Sequence, residues 1–389
     1  VGGRAALLVE PRLLARLSVG REVAIVSATN GKTTTTRLLS TALRADRPVV
    51  SNSLGANMAP GIVAALGPAD PRATAVLEVD ERWVEQVLAD TRAETVLLLN
   101  LSRDQLDRTQ EVRKLAERWR RALAASPPRR VIANADDPLV AWAAAAAPEV
   151  IWVATGQQWT ADAAGCPNCS GRIDFGPGSW ACTDCALTRP TPDVRVHHDG
   201  ESTEVELPSG RVPVSLALPG RVNEVNAAFA LAAAVAMGAD PTTAATALGE
   251  VTEIAGRYRV APVGGVDVRL ILAKNPAGWQ EALDLLAPAP APVVVAINAR
   301  IADGHDPSWL WDVPFESLQG RFVVASGERG PDLAVRLRYA EVEHTTADDL
   351  RSAVAAVRAH PEHVAGSVLD VAANYTAFQE FLDEVGGPA

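Results

Sequence analysis

A short apolar run, Val23-Ala24-Ile25-Val26-Ser27, leads through Thr29-Asn30-Gly31-Lys32-Thr33-Thr34 into a stretch with leucines at 38, 39 and 43. The run reads as a buried strand and the leucine spacing over Thr34 to Arg44 as a helix, with a glycine turn between them. A strand feeding a helix through a glycine loop aims backbone N–H groups and the positive end of the helix dipole at one point in space. That geometry suits phosphate. Lys32 supplies a point charge for terminal phosphates and Thr33 a hydroxyl for Mg²⁺. The full eight-residue phosphate-loop pattern asks for glycine where this chain has Val26, so the match is partial.

Further β-like runs at Ala75 to Val79 and Thr95 to Leu99, separated by the helix-like Arg82 to Leu88, continue an alternation of strands and helices. Such alternation predicts an α/β fold with a mostly parallel sheet covered on both faces. Carboxylates follow two of these strands, as Glu78, Asp80 and Glu81 and as Asp104 and Asp107. Ligands of open parallel sheets bind beyond the carboxyl ends of strands, so these acids can reach Mg²⁺ or phosphate. Glu78, tight against its strand, is the best single metal candidate, with Glu81 open beside it. Asn134-Ala135-Asp136-Asp137-Pro138 reads either as a nucleoside contact or as an Asx turn.

At 389 residues the chain exceeds one ordinary core, and two domains are expected, with a boundary near Gly256. A net charge of −11 without a Lys/Arg cluster argues against nucleic acid as the main partner. The apolar runs, Leu139 to Ala147 among them, fall short of the roughly 20 residues of a membrane span. With no secretory signal pattern, a cytoplasmic protein is expected.

Residues 158–213 are dense in Gly, Pro, Asp and Cys and read as an insertion with its own small fold. Within it, Cys166-Pro167-Asn168-Cys169 and Cys182-Thr183-Asp184-Cys185 form two CxxC pairs separated by twelve residues. Four thiolates so placed suit tetrahedral Zn²⁺, and a four-sulfur site leaves no open position for catalysis. A structural zinc ribbon is expected, with a redox dithiol or an unmetallated reduced cluster as the competing readings. The four cysteines are all the chain has, so no cysteine is left as a nucleophile.

Past Tyr258 a second αβ series follows, with β-like runs at Val266 to Leu272, Val293 to Ile297, Arg321 to Ser326 and Val368 to Ala372. Loops after two of them carry Lys274-Asn275-Pro276 and the stretch from Asn298 to Asp312, which holds Asp303, His305, Asp306, Trp309 and Trp311. Both loops belong at the ligand-binding rim.

The motifs Ala28 to Thr34, Glu78-Val79-Asp80-Glu81, Asn100 to Arg108, Asn134 to Pro138 and Arg221-Val222-Asn223-Glu224-Val225-Asn226-Ala227-Ala228 together resemble the Mur ligases of bacterial cell-wall synthesis. Within them the likeness is to the branch that amidates lipid II, and the second-domain loops extend it over nearly the whole chain. The resemblance implies a central ATP-binding domain at 1–255, carrying the ribbon, and a Rossmann-like C-terminal domain at 256–389. It assigns Thr29, Asn30, Gly31, Lys32, Thr33, Thr34 and Glu78 to the triphosphate and Mg²⁺, and brings Asn223 or Asn226 toward the adenine side of ATP. Three departures stand out: Ala28 replaces a usual glycine, Gln105 a metal-binding histidine, and Trp119 occupies the place of a carbamylated lysine. They put the second metal site of those ligases in doubt.

The implied reaction is ATP-dependent amidation of the α-carboxyl of D-glutamate in the lipid II stem peptide, at the inner membrane face, through an acyl phosphate. Ammonia comes from a glutaminase partner of the GatD type, whose Cys and His are completed by an aspartate of this chain, either Asp303 or Asp306. The alternatives are a ligase that adds an amino acid to a carboxylate, and a nucleotide-binding scaffold subunit.

Overall fold

A computed structural model describes residues 2–52, 56–103, 112–156, 159–198, 202–252 and 258–385. Asp104, Gln105, Leu106, Asp107 and Arg108, the expected boundary at Gly256 and the start of the expected insertion at Gln158 lie outside the described residues. The chain divides into two compact units, Val1–Ser102 with Gln110–Thr252, and Arg103–Thr109 with Glu253–Ala389.

The first unit is built on β1 (Val23–Ser27), β2 (Val49–Ser51), β3 (Thr74–Glu78), β4 (Thr95–Leu98), β5 (Arg130–Asn134) and β6 (Val150–Ala154). β1, β3, β4 and β5 are buried along their whole length, as strands covered on both faces must be. Their order is β2-β3-β1-β4-β5-β6, all parallel, so the loops after β1, β3 and β4 emerge side by side. One face is sealed by Ile62, Leu88, Leu115, Trp119 and Leu139 packed on Ile25, Leu77 and Leu98. The helix Lys32–Arg44 packs with the alanine-rich helix Arg221–Ala236, whose small side chains allow a close approach.

The segment read as one insertion is divided in the structure. β7 (Ile173–Gly176) and β8 (Ser179–Cys182) form a separate two-stranded hairpin, turned at Gly178 with φ 60°. β9 (Val194–His198), β10 (Thr203–Leu207) and β11 (Gly210–Val214) instead extend the main sheet past β6, β9 parallel to β6 and the rest antiparallel. Their alternation explains this: Val194, Val205, Leu207, Val212 and Val214 are buried while charged neighbours such as Glu204 and Arg211 are not.

The second unit has β12 (Tyr258–Val263), β13 (Val266–Leu272), β14 (Val293–Ala296), β15 (Val323–Ser326), β16 (His344–Ala347) and β17 (Leu369–Ala373) in the order β12-β13-β17-β14-β15-β16. Only the β12–β13 pairing is antiparallel among the described residues. Trp279 and Leu333, from the helices Pro276–Asp284 and Gly330–Tyr339, fill one face; Val354 and Phe378, from Leu350–Ala359 and Tyr375–Glu384, fill the other. Chain leaving β14 packs Trp309 and Leu310 on the first face and chain leaving β17 packs Phe378 on the other, the switch in direction at which open parallel sheets bind ligands. No helix among the described residues is long and apolar enough to cross a membrane.

Candidate functional site

Gly31 takes the left-handed conformation, φ 85°, that the turn from β1 into the helix requires. A Cβ there would lie 2.6 Å from Oδ1 of Asn226, so glycine is needed for space as well as for conformation. The loop is fastened to the end of β4 by reciprocal bonds: the Asn30 N–H donates to Asn100 Oδ1 at 2.9 Å, and Asn100 Nδ2 donates to the Asn30 carbonyl at 3.0 Å. The Thr29 hydroxyl donates to the Ser102 carbonyl at 3.1 Å and accepts from the Ser102 N–H at 3.0 Å. Such cross-bracing fixes the loop before any ligand arrives. Thr33 and Thr34 open the helix beside Lys32, where the first N–H groups have no intrahelical acceptor.

Lys32 is buried and folded back on its own loop. Its ammonium donates to the Thr29 carbonyl at 3.2 Å, to the Ala28 carbonyl, and to Glu81 Oε2 at 3.0 Å. Glu81 is held in turn: its carbonyl accepts from the indole Nε1 of Trp119 at 2.9 Å, and Trp119 is fully buried. Trp119, expected from the resemblance only as a missing lysine, here positions the partner of the phosphate-loop lysine. Glu78 lies opposite Val26 in the β1–β3 register and is buried. Its backbone is clamped by Asn52, whose Oδ1 accepts the Glu78 N–H at 2.9 Å and whose Nδ2 donates to the Glu78 carbonyl at 2.8 Å. Asn57 Nδ2 reaches Glu78 Oε1 at 3.4 Å. Asn52 escaped the sequence reading; its place at the carboxyl end of a short parallel strand was the available signal.

Asn226 Oδ1 also accepts from the Thr35 hydroxyl at 3.2 Å, which puts Asn226 against the phosphate loop. Asn223, one turn earlier, donates from Nδ2 to the Pro219 carbonyl at 2.7 Å. The Asn134 to Pro138 segment is an Asx turn: Asn134 Oδ1 accepts from the Asp136 N–H at 2.7 Å. Asp137 caps the helix Pro138–Ala144 and accepts the Leu101 N–H at 2.9 Å, tying the β4 and β5 loops together. Complete burial pushes its carboxyl up to about 6, against the three N–H groups that favour its ionised form.

The four cysteine sulfurs lie within 4.8 Å of one another, Cys166 3.7 Å from Cys185 and Cys169 3.4 Å from Cys182, with no disulfide. Sulfurs around tetrahedral Zn²⁺ sit about 3.8 Å apart for a 2.3 Å bond. The backbone N–H groups of Gly171 and Asp184 point at Cys169 and Cys182 at 3.4 and 3.3 Å, as thiolate ligands need. The Leu187 N–H and the Asn168 amide pull Cys185 down to about 6. Cys169, which the Gly171 N–H lowers, is nonetheless pushed up to about 12 by the Cys182, Cys185 and Cys166 thiols. The cluster fits a structural zinc site. It docks on the β5 loop through Trp180, whose Nε1 donates to the Ala135 carbonyl at 2.9 Å, and Arg189, paired with Asp136 at 2.5 Å.

In the second unit the two candidate aspartates are unalike. Asp303 is buried and its carboxylate is consumed internally: Oδ1 accepts the Thr376 N–H at 2.9 Å, and Oδ2 accepts the Thr376 hydroxyl and the Arg300 N–H. Asp306 is exposed and caps the short 3₁₀ helix Pro307–Trp311; the Ser308 N–H holds its carboxyl below the usual range. Of the two tryptophans in this loop, Trp309 stacks on Trp279 in the core at 6.2 Å, while Trp311 is 56% exposed with Tyr339 against its edge. Core packing therefore accounts for one and not the other.

Two protein families match this chain: the Mur ligase middle domain over residues 26–234 and the MurT ligase C-terminal domain over 272–378. A Streptococcus pneumoniae protein named lipid II isoglutaminyl synthase (glutamine-hydrolyzing) subunit MurT is 29% identical over 98% of this chain and 91% of its own length. A Staphylococcus aureus protein of the same name is 27% identical over 83% of this chain and 78% of its own. A solved pseudomurein peptide ligase type C from Methanothermus fervidus has the same fold, with a TM-score of 0.74 and 18% identity over 94% of this chain and 79% of that one. With its mostly parallel sheet, glycine loop and matched middle domain, the chain belongs to the Mur ligases.

Proposed function

We propose that the chain is the ATP-using subunit of an amidating enzyme, converting the α-carboxyl of D-glutamate in the lipid II stem peptide to the amide of D-isoglutamine. The observation that carries this reading is the pairing of a phosphate loop with a chain whose four cysteines all stand in one cluster. ATP chemistry is provided for, yet no thiol remains to attack the side-chain amide of glutamine, so ammonia must come from a second, glutaminase subunit of the GatD type. The names of the two relatives point to the same substrate.

In this reading Lys32 leaves Glu81 for the terminal phosphates, while the N–H groups at the start of Lys32–Arg44 bind their oxygens. Thr33, Glu78 and the released Glu81 are the residues that would hold Mg²⁺, which supplies charge neutralisation on the phosphates. Asn226 keeps the Gly31 turn in register, and Thr29, Asn30 and Thr34 complete the loop. The substrate carboxylate oxygen attacks the γ-phosphorus and ADP departs. Ammonia then attacks the acyl carbon, phosphate leaves and a proton is lost to solvent. The chain's own contribution is positioning and exclusion of water, which would otherwise hydrolyse the acyl phosphate.

Asp306 is the aspartate we assign to the glutaminase, because a carboxylate that orients a partner's imidazole must reach out of its own domain. Asp303, satisfied by Thr376 and Arg300, serves to build the loop that presents it. The test is direct: purified chain, ATP, Mg²⁺, lipid II and an ammonium salt should yield amidated lipid II and ADP in equal amounts. A chain that hydrolyses ATP only when a free amino acid is added would be an amino-acid ligase instead.

A further inference from the structure

We propose that the Ser102 hydroxyl is a ligand of the phosphoryl group transferred at the Lys32 loop, donating a hydrogen bond to one of its anionic oxygens; this rests on the acyl-phosphate chemistry proposed above. Ser102 is 6% exposed and its Oγ is buried without a hydrogen-bond partner. A buried hydroxyl left unmatched costs about 1–3 kcal/mol, so folded chains retain few of them without a reason.

Position supplies the reason. Four hydroxyls of the first unit share this condition among the described residues: Thr36, Ser40, Thr95 and Ser102. Thr36 and Ser40 lie inside the helix Lys32–Arg44, and Thr95 is at the amino end of β4. Ser102 alone stands beyond the carboxyl end of a central strand, at the rim where parallel sheets bind ligands. Its main chain is fixed on both sides of the side chain, the N–H and carbonyl both bonded to the hydroxyl of Thr29, the first residue of the phosphate loop. The clasp makes the backbone of Ser102 part of the loop's scaffold and leaves its hydroxyl uncommitted. Phosphate is the chemistry that fits, since the loop beside it already gathers Lys32 and a helix start. A single well-placed O–H donor there adds to charge stabilisation as phosphate oxygens gain negative charge.

The experiment is Ser102→Ala in the complex of the chain with its glutaminase subunit, read in three ways beside the unchanged protein. Because the lost oxygen has no partner within the chain, the melting temperature should hold or rise. Affinity for a fluorescent ADP analogue, which lacks the transferred group, should stay within twofold. ADP release in the presence of lipid II and ammonium should fall about tenfold to a hundredfold, the worth of one hydrogen bond to a charged group. Unchanged turnover would overturn the assignment, as would a lower melting temperature with ADP binding lost in proportion, which marks a structural serine. Absence of lipid II-dependent ADP release from the unchanged complex would instead overturn the acyl-phosphate reading, and this inference with it.

Discussion

A buried lysine and a buried glutamate sit together at the phosphate loop, and each is tolerable only because of the other. Removing one partner of such a pair strands the second charge at a cost of about 3–5 kcal/mol, whereas exchanging Glu81 for phosphate keeps Lys32 neutralised throughout. Trp119 fixes the backbone of this pair, its indole Nε1 donating to the Glu81 carbonyl at 2.9 Å. Asp137 shows the same economy with the opposite sign. Its carboxyl titrates near 6 in the folded chain against about 3.9 unfolded, so its contribution to stability is full below the unfolded value and is lost as pH rises through the folded one. Two pK units correspond to about 3 kcal/mol as an order of magnitude. In Asp137→Asn, which does not ionise, the stability difference from the unchanged protein should shift in the variant's favour between pH 4 and pH 7. Chemical denaturation at both pH values checks this; a pH-independent difference would show that the Asp137 carboxyl is not raised in the folded chain.

At the scale of elements, the central parallel strands of both sheets were legible because burial on two faces leaves a nearly unbroken apolar run, as in Val23–Ser27 and Val293–Ala296. The edge strand His344–Ala347, with its two central threonines exposed, carries no such signal and emerged only from the structure. The stretch before Pro213 misled for a related reason. Glycine and charge density there marks solvent-facing hairpins, and β9 to β11 are solvent-facing hairpins that nevertheless continue the main sheet. Of the site, Lys32, Gly31 and the four cysteines could be read from spacing. The roles of Asn52, Asn100 and Trp119 could not, because each acts through a contact remote in sequence. The four-cysteine module meets the rest of the unit through Trp180, in the hairpin between the cysteine pairs, and Arg189, whose N–H donates to the Trp180 carbonyl at 2.9 Å. One zinc per chain is therefore expected by elemental analysis. Cys182→Ser should remove it and lower the melting temperature; a zinc-free native protein of full stability would contradict the site.

For the whole molecule, the division of labour follows from what each unit lacks. The first unit has the phosphate loop and no cysteine outside its four-cysteine cluster; the second exposes Asp306 in a loop whose neighbour Asp303 is locked to Thr376. An exposed carboxylate with its own pKa held low stays ionised at neutral pH, the state that stabilises a partner's imidazolium. The most direct measurement is amidation of lipid II with ATP and glutamine as nitrogen source, by the chain alone, by the chain with the glutaminase subunit, and by the same pair carrying Asp306→Asn. Expected are no product from the chain alone, full product from the pair, and a loss of at least tenfold with the variant that an ammonium salt restores. Glutamine-driven product from the chain by itself would contradict the central claim.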